Sequence, residues 1–263
     1  MTRIEQITFL NQFLLEETPE LRSQAAAFPK EQTAQRRLLR SLMNVRPPMP
    51  LCQDFLKVQD ELLSAERVQK GTVDAASLPD APGVPGIALW QGDITRLQAD
   101  AIVNAANSAM LGCFCPCHGC IDNAIHSAAG LQLRDECSKI MQVQGHKEPT
   151  GCAKLTKGYN LPARYVLHTV GPIIDGAVTD ADRKALAACY RSCLELAAKH
   201  NLKTVAFCCI STGEFHFPNR EAAQIAVKTV TDFLQQASSV QKVIFNVFKD
   251  IDAKIYNRLL GAN

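Results

Sequence analysis

Four cysteines and a histidine, Cys113, Cys115, Cys117, His118 and Cys120, fall within eight consecutive positions. Thiolate and imidazole are the donors zinc prefers, and a tetrahedral site needs three or four of them close together. Three protein ligands would leave an open, reactive position, whereas four would close the site. Unpaired cysteines can also serve as small buried hydrophobes, but four of them beside a histidine in so short a run favour metal. The segment Pro116-Cys117-His118-Gly119-Cys120 matches half of the zinc deaminase signature. That chemistry needs an upstream glutamate to move protons, and none occurs between Glu66 and Glu136, which excludes it.

Three further segments carry polar groups where strands are expected to end. Gly92-Asp93-Ile94-Thr95 offers a carboxylate suited to an exocyclic amine of a nucleobase, although Asp is also a favoured helix cap. Asn104-Ala105-Ala106-Asn107 offers two amides to a sugar, with small residues that allow close approach; asparagine is equally at home in turns. Residues 210–218 (ISTGEFHFP) join an apolar run to a helical pattern. Such a loop aims backbone N–H groups at an anion, most simply a diphosphate. It lacks the lysine and glycine count of a P-loop, so nucleoside triphosphate hydrolysis is not expected. Asp122 follows the cysteine run and opens a helical segment, either as an N-cap or as a carboxylate facing the metal pocket. His126 is expected to be structural, and His168, within YVLHTVGP, a satisfied core histidine. His146, His200 and His216 have no evident partner.

The elements that must position these groups follow from periodicity. Residues 87–90, 101–103, 165–169, 204–210 and 242–248 read as short buried strands. Residues 122–129, 182–199, 219–236 and 250–260 read as helices between or after them. Alternation of this kind predicts an α/β sandwich with a largely parallel or mixed central sheet, and ligands bound beyond the carboxyl ends of the strands. Before it, residues 4–15, 32–43 and 51–63 show helical periodicity, and no glycine occurs before Gly71. We therefore expect a helical N-terminal extension over residues 1–70 and the α/β domain over residues 71–263. The extension contains no motif of evident chemical interest. Its role would be to recognise a partner or to complete the fold.

Composition narrows the function classes. A net charge of +2 gives no electrostatic reason to expect nucleic acid or a membrane surface as a partner. The opening segment MTRIEQITFL lacks the features of a signal peptide, and no apolar run reaches the ~18 residues of a membrane span. Eleven cysteines in that setting read as reduced thiols of a cytoplasmic protein, some of them metal-bound.

Taken in order, GDIT at Gly92, DAIVNAAN at Asp100, IDNAIHSAAG at Ile121, YVLHTVGP at Tyr165 and ISTGEFHFP at Ile210 resemble the macrodomain family. The loop LGCFCPCHGCID is similar to that of its zinc-containing microbial branch, which also carries a helical N-terminal extension. The resemblance implies a three-layer α/β/α sandwich with a mixed central sheet, and ADP-ribose as ligand. Asp93 and the Ile94 amide would hold adenine, and Phe248 would stack on it. The backbone of Ser211, Thr212, Gly213, Glu214 and Phe215 would cradle the diphosphate. Asn107 would hold the distal ribose and, with Asp122, form the catalytic pair. The implied zinc ligands are Cys113, His118 and Cys120, with Cys115 and Cys117 as extra thiols. The implied activity is zinc-dependent hydrolysis of mono-ADP-ribose from modified protein side chains, with an ester to Asp or Glu as the expected linkage. The alternative is a non-catalytic reader of ADP-ribose in which zinc braces the loop.

Overall fold

The computed structural model describes residues 1–261. Its strands are β1 (Val73–Asp74), β2 (Ile87–Gln91), β3 (Leu97–Gln98), β4 (Ala101–Ala105), β5 (Ala153–Lys157), β6 (Tyr165–Thr169), β7 (Thr204–Phe207) and β8 (Lys242–Val247). Its helices are α1 (Arg3–Glu17), α2 (Arg22–Ala26), α3 (Gln32–Val45), α4 (Gln53–Lys70), α5 (Ile121–Ala129), α6 (Leu131–Gln144), α7 (Asp180–Lys199), α8 (Asn219–Leu234) and α9 (Asp250–Leu259).

Six strands form one sheet in the order β2-β8-β7-β4-β6-β5. All neighbours run parallel except β5, which is antiparallel to β6. The parallel strands are mostly apolar, as burial on both faces demands: Ile102, Val103, Val166, Leu167, Val205, Phe207, Val243 and Phe245 are all at most 1% exposed. Helices flank the sheet in two groups. One comprises α7, α8 and α9, packed on one another and on the strands; the other comprises α5 against β4 and α6 against β5. β1 and β3 make a separate two-stranded parallel pair.

The N-terminal helices have a core of their own. Ile7, Leu10, Leu39, Phe55 and Leu62 are buried against one another, and Leu131 of α6 joins them. A capping box starts α1, with Thr2 and Glu5 bonding each other's backbone. Among the described residues, no helix is long and apolar enough to cross a membrane.

The structure corrects several expectations. Five elements were not expected: the short α2, β1 and β3, and the longer β5 and α6. The strand expected over residues 204–210 ends at Phe207, and that expected over 242–248 ends at Val247. In both cases the apolar run continues past the last ladder bond to wall a crevice. Asp122 is not the cap of α5; Cys120 is, its Sγ accepting from the Asn123 N–H at 3.4 Å.

Candidate active site

Because β2, β8, β7 and β4 are parallel, the loops after them emerge on one edge of the sheet, where this fold class binds ligands. There they enclose a crevice of about 750 Å³. Asp93, Ile94, Asn107, Cys113, His118, Cys120, Asp122, Ser211, Thr212, Gly213, Glu214, Phe215 and Phe248 all line it.

The Gly92-Asp93 turn is tied down from β8, since Asn246 Nδ2 donates to the Gly92 carbonyl at 2.9 Å. Asp93 also serves as a cap: its Oδ1 accepts from the Thr95 backbone at 3.0 Å and hydroxyl at 2.7 Å. Phe248 follows β8 and is 75% exposed, so a large apolar ring stands free at this mouth of the crevice.

The two asparagines after β4 separate. Asn107 reaches the crevice, where its Nδ2 donates to the Gly112 carbonyl at 3.1 Å and to Asp122 Oδ2 at 3.4 Å. Asn104, expected to offer its amide to a sugar, is fully buried instead. It faces the core because alternate residues of β4 point to opposite sides. There its Nδ2 donates to Asp122 Oδ1 at 2.7 Å and lies 3.2 Å from His168 Nδ1. His168 in turn meets the Thr156 hydroxyl through Nε2 at 2.9 Å. His168 is thus a satisfied core histidine, and burial holds it neutral, pushing its pKa down to about 3.

Burial pushes the Asp122 carboxyl the other way, up to about 6, against the opposing pull of Asn104 and the Arg134 charge. Behind it lies His126, whose Nε2 is 3.5 Å from Asp122 Oδ1. Gly112 must be glycine: its φ is +79°, and a Cβ there would sit 2.9 Å from the His126 ring.

Cys113, His118 and Cys120 come together, with one donor atom from each mutually within 4.8 Å. Cys113 Sγ lies 3.6 Å from His118 Nδ1. Tetrahedral zinc with Zn–S ~2.3 Å and Zn–N ~2.0 Å separates its sulfur and nitrogen donors by about 3.5 Å, so the donor set fits that ion. The other ring nitrogen, His118 Nε2, lies 3.6 Å from Glu214 Oε1, the usual outer partner of a metal-bound imidazole. Without a cation, burial pushes the Cys120 thiol up to about 12, with Cys113 adding to the shift. Cys115 is exposed, and Cys117 turns away, its Sγ 3.3 Å from Ser41 Oγ of α3.

Across the crevice, residues 209–217 form a tight loop. The His216 N–H donates to the Gly213 carbonyl, and the Phe217 N–H to Ser211. Ser211 (φ 64°) and His216 (φ 57°) adopt left-handed conformations, so His216 takes the backbone form that glycine usually supplies. Among the described residues, the amides of Gly213, Glu214 and Phe215 meet no backbone acceptor and remain available to an anion.

Phe114 and Arg40 are among the lining residues that sequence reasoning overlooked. Phe114 is 40% exposed beside the cysteines, with the Arg134 guanidinium 4.3 Å from its ring centre. Its place inside a Cys-rich motif masked it. Arg40 belongs to the N-terminal helices yet lines the crevice, and no local pattern could have revealed that.

The Macro domain family profile matches residues 103–226. A protein-ADP-ribose hydrolase of Treponema medium is 51% identical over 263 residues, covering 99% of this chain and all of that protein. One from Staphylococcus aureus (strain Mu50 / ATCC 700699) is 51% identical over 227 residues, 85% of this chain and 84% of its own length. Among solved structures, the Trypanosoma brucei macrodomain in complex with ADP-ribose has a TM-score of 0.66 at 33% identity, covering 84% of this chain and 95% of that one. The Oceanobacillus iheyensis macrodomain with ADP has a TM-score of 0.62 at 37% identity, covering 68% and 92%. The chain belongs to the macrodomain family.

Proposed function

We propose that the chain is a zinc-dependent hydrolase that releases mono-ADP-ribose from modified protein side chains, with an ester to Asp or Glu as the linkage. The hydrolase names of the Treponema and Staphylococcus relatives and the ADP-ribose in the Trypanosoma structure support the substrate class. The observation that carries the reading is the order of groups across the sheet. Asp93 and Phe248 follow β2 and β8, the amide loop follows β7, and Asn107 follows β4. Strands are spaced ~4.8 Å apart, so the span from β2 to β4 is about 14 Å. A base, a diphosphate and a ribose would meet their matching groups in that sequence.

In this reading Asp93 accepts from the adenine amine and Phe248 stacks on the base. The amides of Gly213, Glu214 and Phe215 donate hydrogen bonds to the diphosphate. Asn107 holds a hydroxyl of the distal ribose. Asp122, a buried carboxylate fixed by Asn104 and Asn107, accepts the proton of the attacking water. Cys113, His118 and Cys120 would hold zinc. Once bound there, the ion supplies Lewis acidity toward a water or the ribose hydroxyls. The twin hydrogen bonds from Asn104 and Asn107 fix the Asp122 carboxylate plane, so its lone pairs meet the water in one orientation.

The test is release of free ADP-ribose from an automodified, mono-ADP-ribosylated acceptor, with and without a zinc chelator. The reading predicts release that chelation abolishes and added zinc restores. Release that survives complete metal removal overturns the zinc dependence. Tight ADP-ribose binding with no release from any acceptor identifies a reader module instead.

A further inference from the structure

The loop that carries Cys113, His118 and Cys120 is gripped from outside the macrodomain. The Cys117 N–H donates to Asn44 Oδ1 of α3 at 2.9 Å. Asn44 is only 2% exposed, and its Nδ2 donates to Ser127 Oγ of α5 at 3.1 Å. Ser127 passes a hydrogen bond to Asn123 Oδ1 at 3.3 Å. Asn123 donates through Nδ2 to the Cys115 carbonyl at 2.9 Å and through its backbone N–H to Cys120 Sγ at 3.4 Å. Arg40 completes the frame. Its Nε and Nη2 donate to Asn123 Oδ1 at 3.1 and 2.6 Å, and its Nη2 also reaches the His118 carbonyl at 3.2 Å.

Two residues of α3 thus fix the backbone at positions 115, 117 and 118 and, through Asn123, the sulfur of position 120. The consequence is visible at Cys117. It is held at φ 52°, and its thiol lies against Ser41 Oγ and the Arg37 carbonyl, on the far side from the metal-ligand cluster. Its neighbour His118 is turned to Cys113. One backbone geometry removes a competing thiol and delivers the imidazole.

We propose that Asn44 and Arg40 are positioning residues of the metal site: α3 forms its outer shell, sets zinc affinity and keeps Cys117 out of the ligand set. This rests on the zinc reading above. It gives the N-terminal helices a role in the chemistry, although they supply no ligand. Outer-shell partners of this kind are typically worth 10–100-fold in metal affinity.

The experiment is zinc affinity of the full chain by competition with a chromogenic chelator, for the wild type, Asn44→Ala, Asn44→Asp and Arg40→Ala. Melting of each metal-free protein is recorded in parallel. Asn44→Ala is expected to weaken zinc binding 10–100-fold. Asn44→Asp, which keeps the acceptor for the Cys117 N–H but loses the donor to Ser127, should fall between the wild type and Asn44→Ala. Arg40 is partly exposed, so Arg40→Ala folds even if Asn44→Ala does not, and it should lose about tenfold. A purely packing role would lower the metal-free melting temperature and leave zinc affinity within threefold in both alanine variants; that result overturns the proposal. A wild-type chain that takes up no zinc overturns the zinc reading itself and, with it, this one.

Discussion

Two loops flank the crevice, and they are shaped by different means. The loop at residues 209–217 is built from its own backbone: the His216 and Phe217 amides bond within it, and the Ile174 N–H meets the Phe215 carbonyl from the adjacent loop. The loop at residues 111–120 has few such bonds. It is held by side chains, namely Asn107 on the Gly112 carbonyl, Arg134 on the Leu111 carbonyl at 2.7 Å, and the Asn44, Asn123 and Arg40 frame. The first presents backbone donors, which need only a tight turn. The second must aim two thiols and an imidazole at one point, and that precision comes from rigid helices behind it.

That contrast can be broken at defined positions. The largest effect is expected at Asp122, directly behind the cysteine loop. Asp122→Asn removes the proton acceptor and should lower the rate of ADP-ribose release at least about 100-fold, with ADP-ribose affinity nearly unchanged. Single-turnover kinetics beside calorimetric binding would separate the two, and an unchanged rate would remove Asp122 from the chemistry.

Next is Gly171, which lies against the backbone-built loop. A Cβ there would come within 2.0 Å of the Ser211 hydroxyl, itself buried with no hydrogen-bond partner among the described residues. Gly171→Ala should cost about 1–3 kcal/mol of stability and weaken ADP-ribose binding. Zinc affinity should stay the same, because the cysteine loop has separate supports. A matching fall in zinc affinity would show that the two loops are one unit.

A pH effect should arise behind the cysteine loop. In the metal-free protein, His126 and His168 are held neutral by burial, below the ordinary value of 6.5, while Asp122 is raised from 3.8 to about 6. Between about pH 6 and pH 4 the unfolded chain carries close to two protons on these histidines, whereas the folded chain carries at most one, on Asp122. The unfolded state therefore binds about one proton more, and stability falls with falling pH by up to ~1.4 kcal/mol per unit. Urea titrations of the metal-free protein at pH 7 and pH 5 measure this. Stability that rises on acidification would contradict the assignment.

The smallest effect is a deliberate absence of one. Cys117→Ala should leave zinc content at one ion per chain. Metal loss in that variant would make Cys117 a ligand and close the site.

Much of the fold could be read from local patterns. β2, β4, β6, β7 and β8 are short apolar runs between turn signals, and their burial on both faces leaves that mark. β5 (AKLTK) is an edge strand with two lysines and only Thr156 buried, so it carries no such run. α6 follows α5 with only Gly130 between them, and its polar sequence LQLRDECSKIMQVQ hides a narrow apolar stripe. Asp93, Asn107, Ser211 and Phe248 were legible because each follows a strand end within a few positions, and Cys113, His118 and Cys120 because their residue types cluster in sequence. The inward turn of Asn104 was not foreseen, since it depends on the exact register of β4. The Asn44–Cys117 and Arg40–Asn123 contacts join residues 73 and 83 positions apart, and no periodicity encodes them.

X-ray absorption at the zinc edge of the metal-loaded protein bears most directly on the whole account. It should find two sulfurs at about 2.3 Å and lighter nitrogen and oxygen donors at about 2.0–2.1 Å, the signature of Cys113, Cys120, His118 and one exchangeable position. Three or four sulfurs around the ion, or no stoichiometric zinc at all, would contradict it.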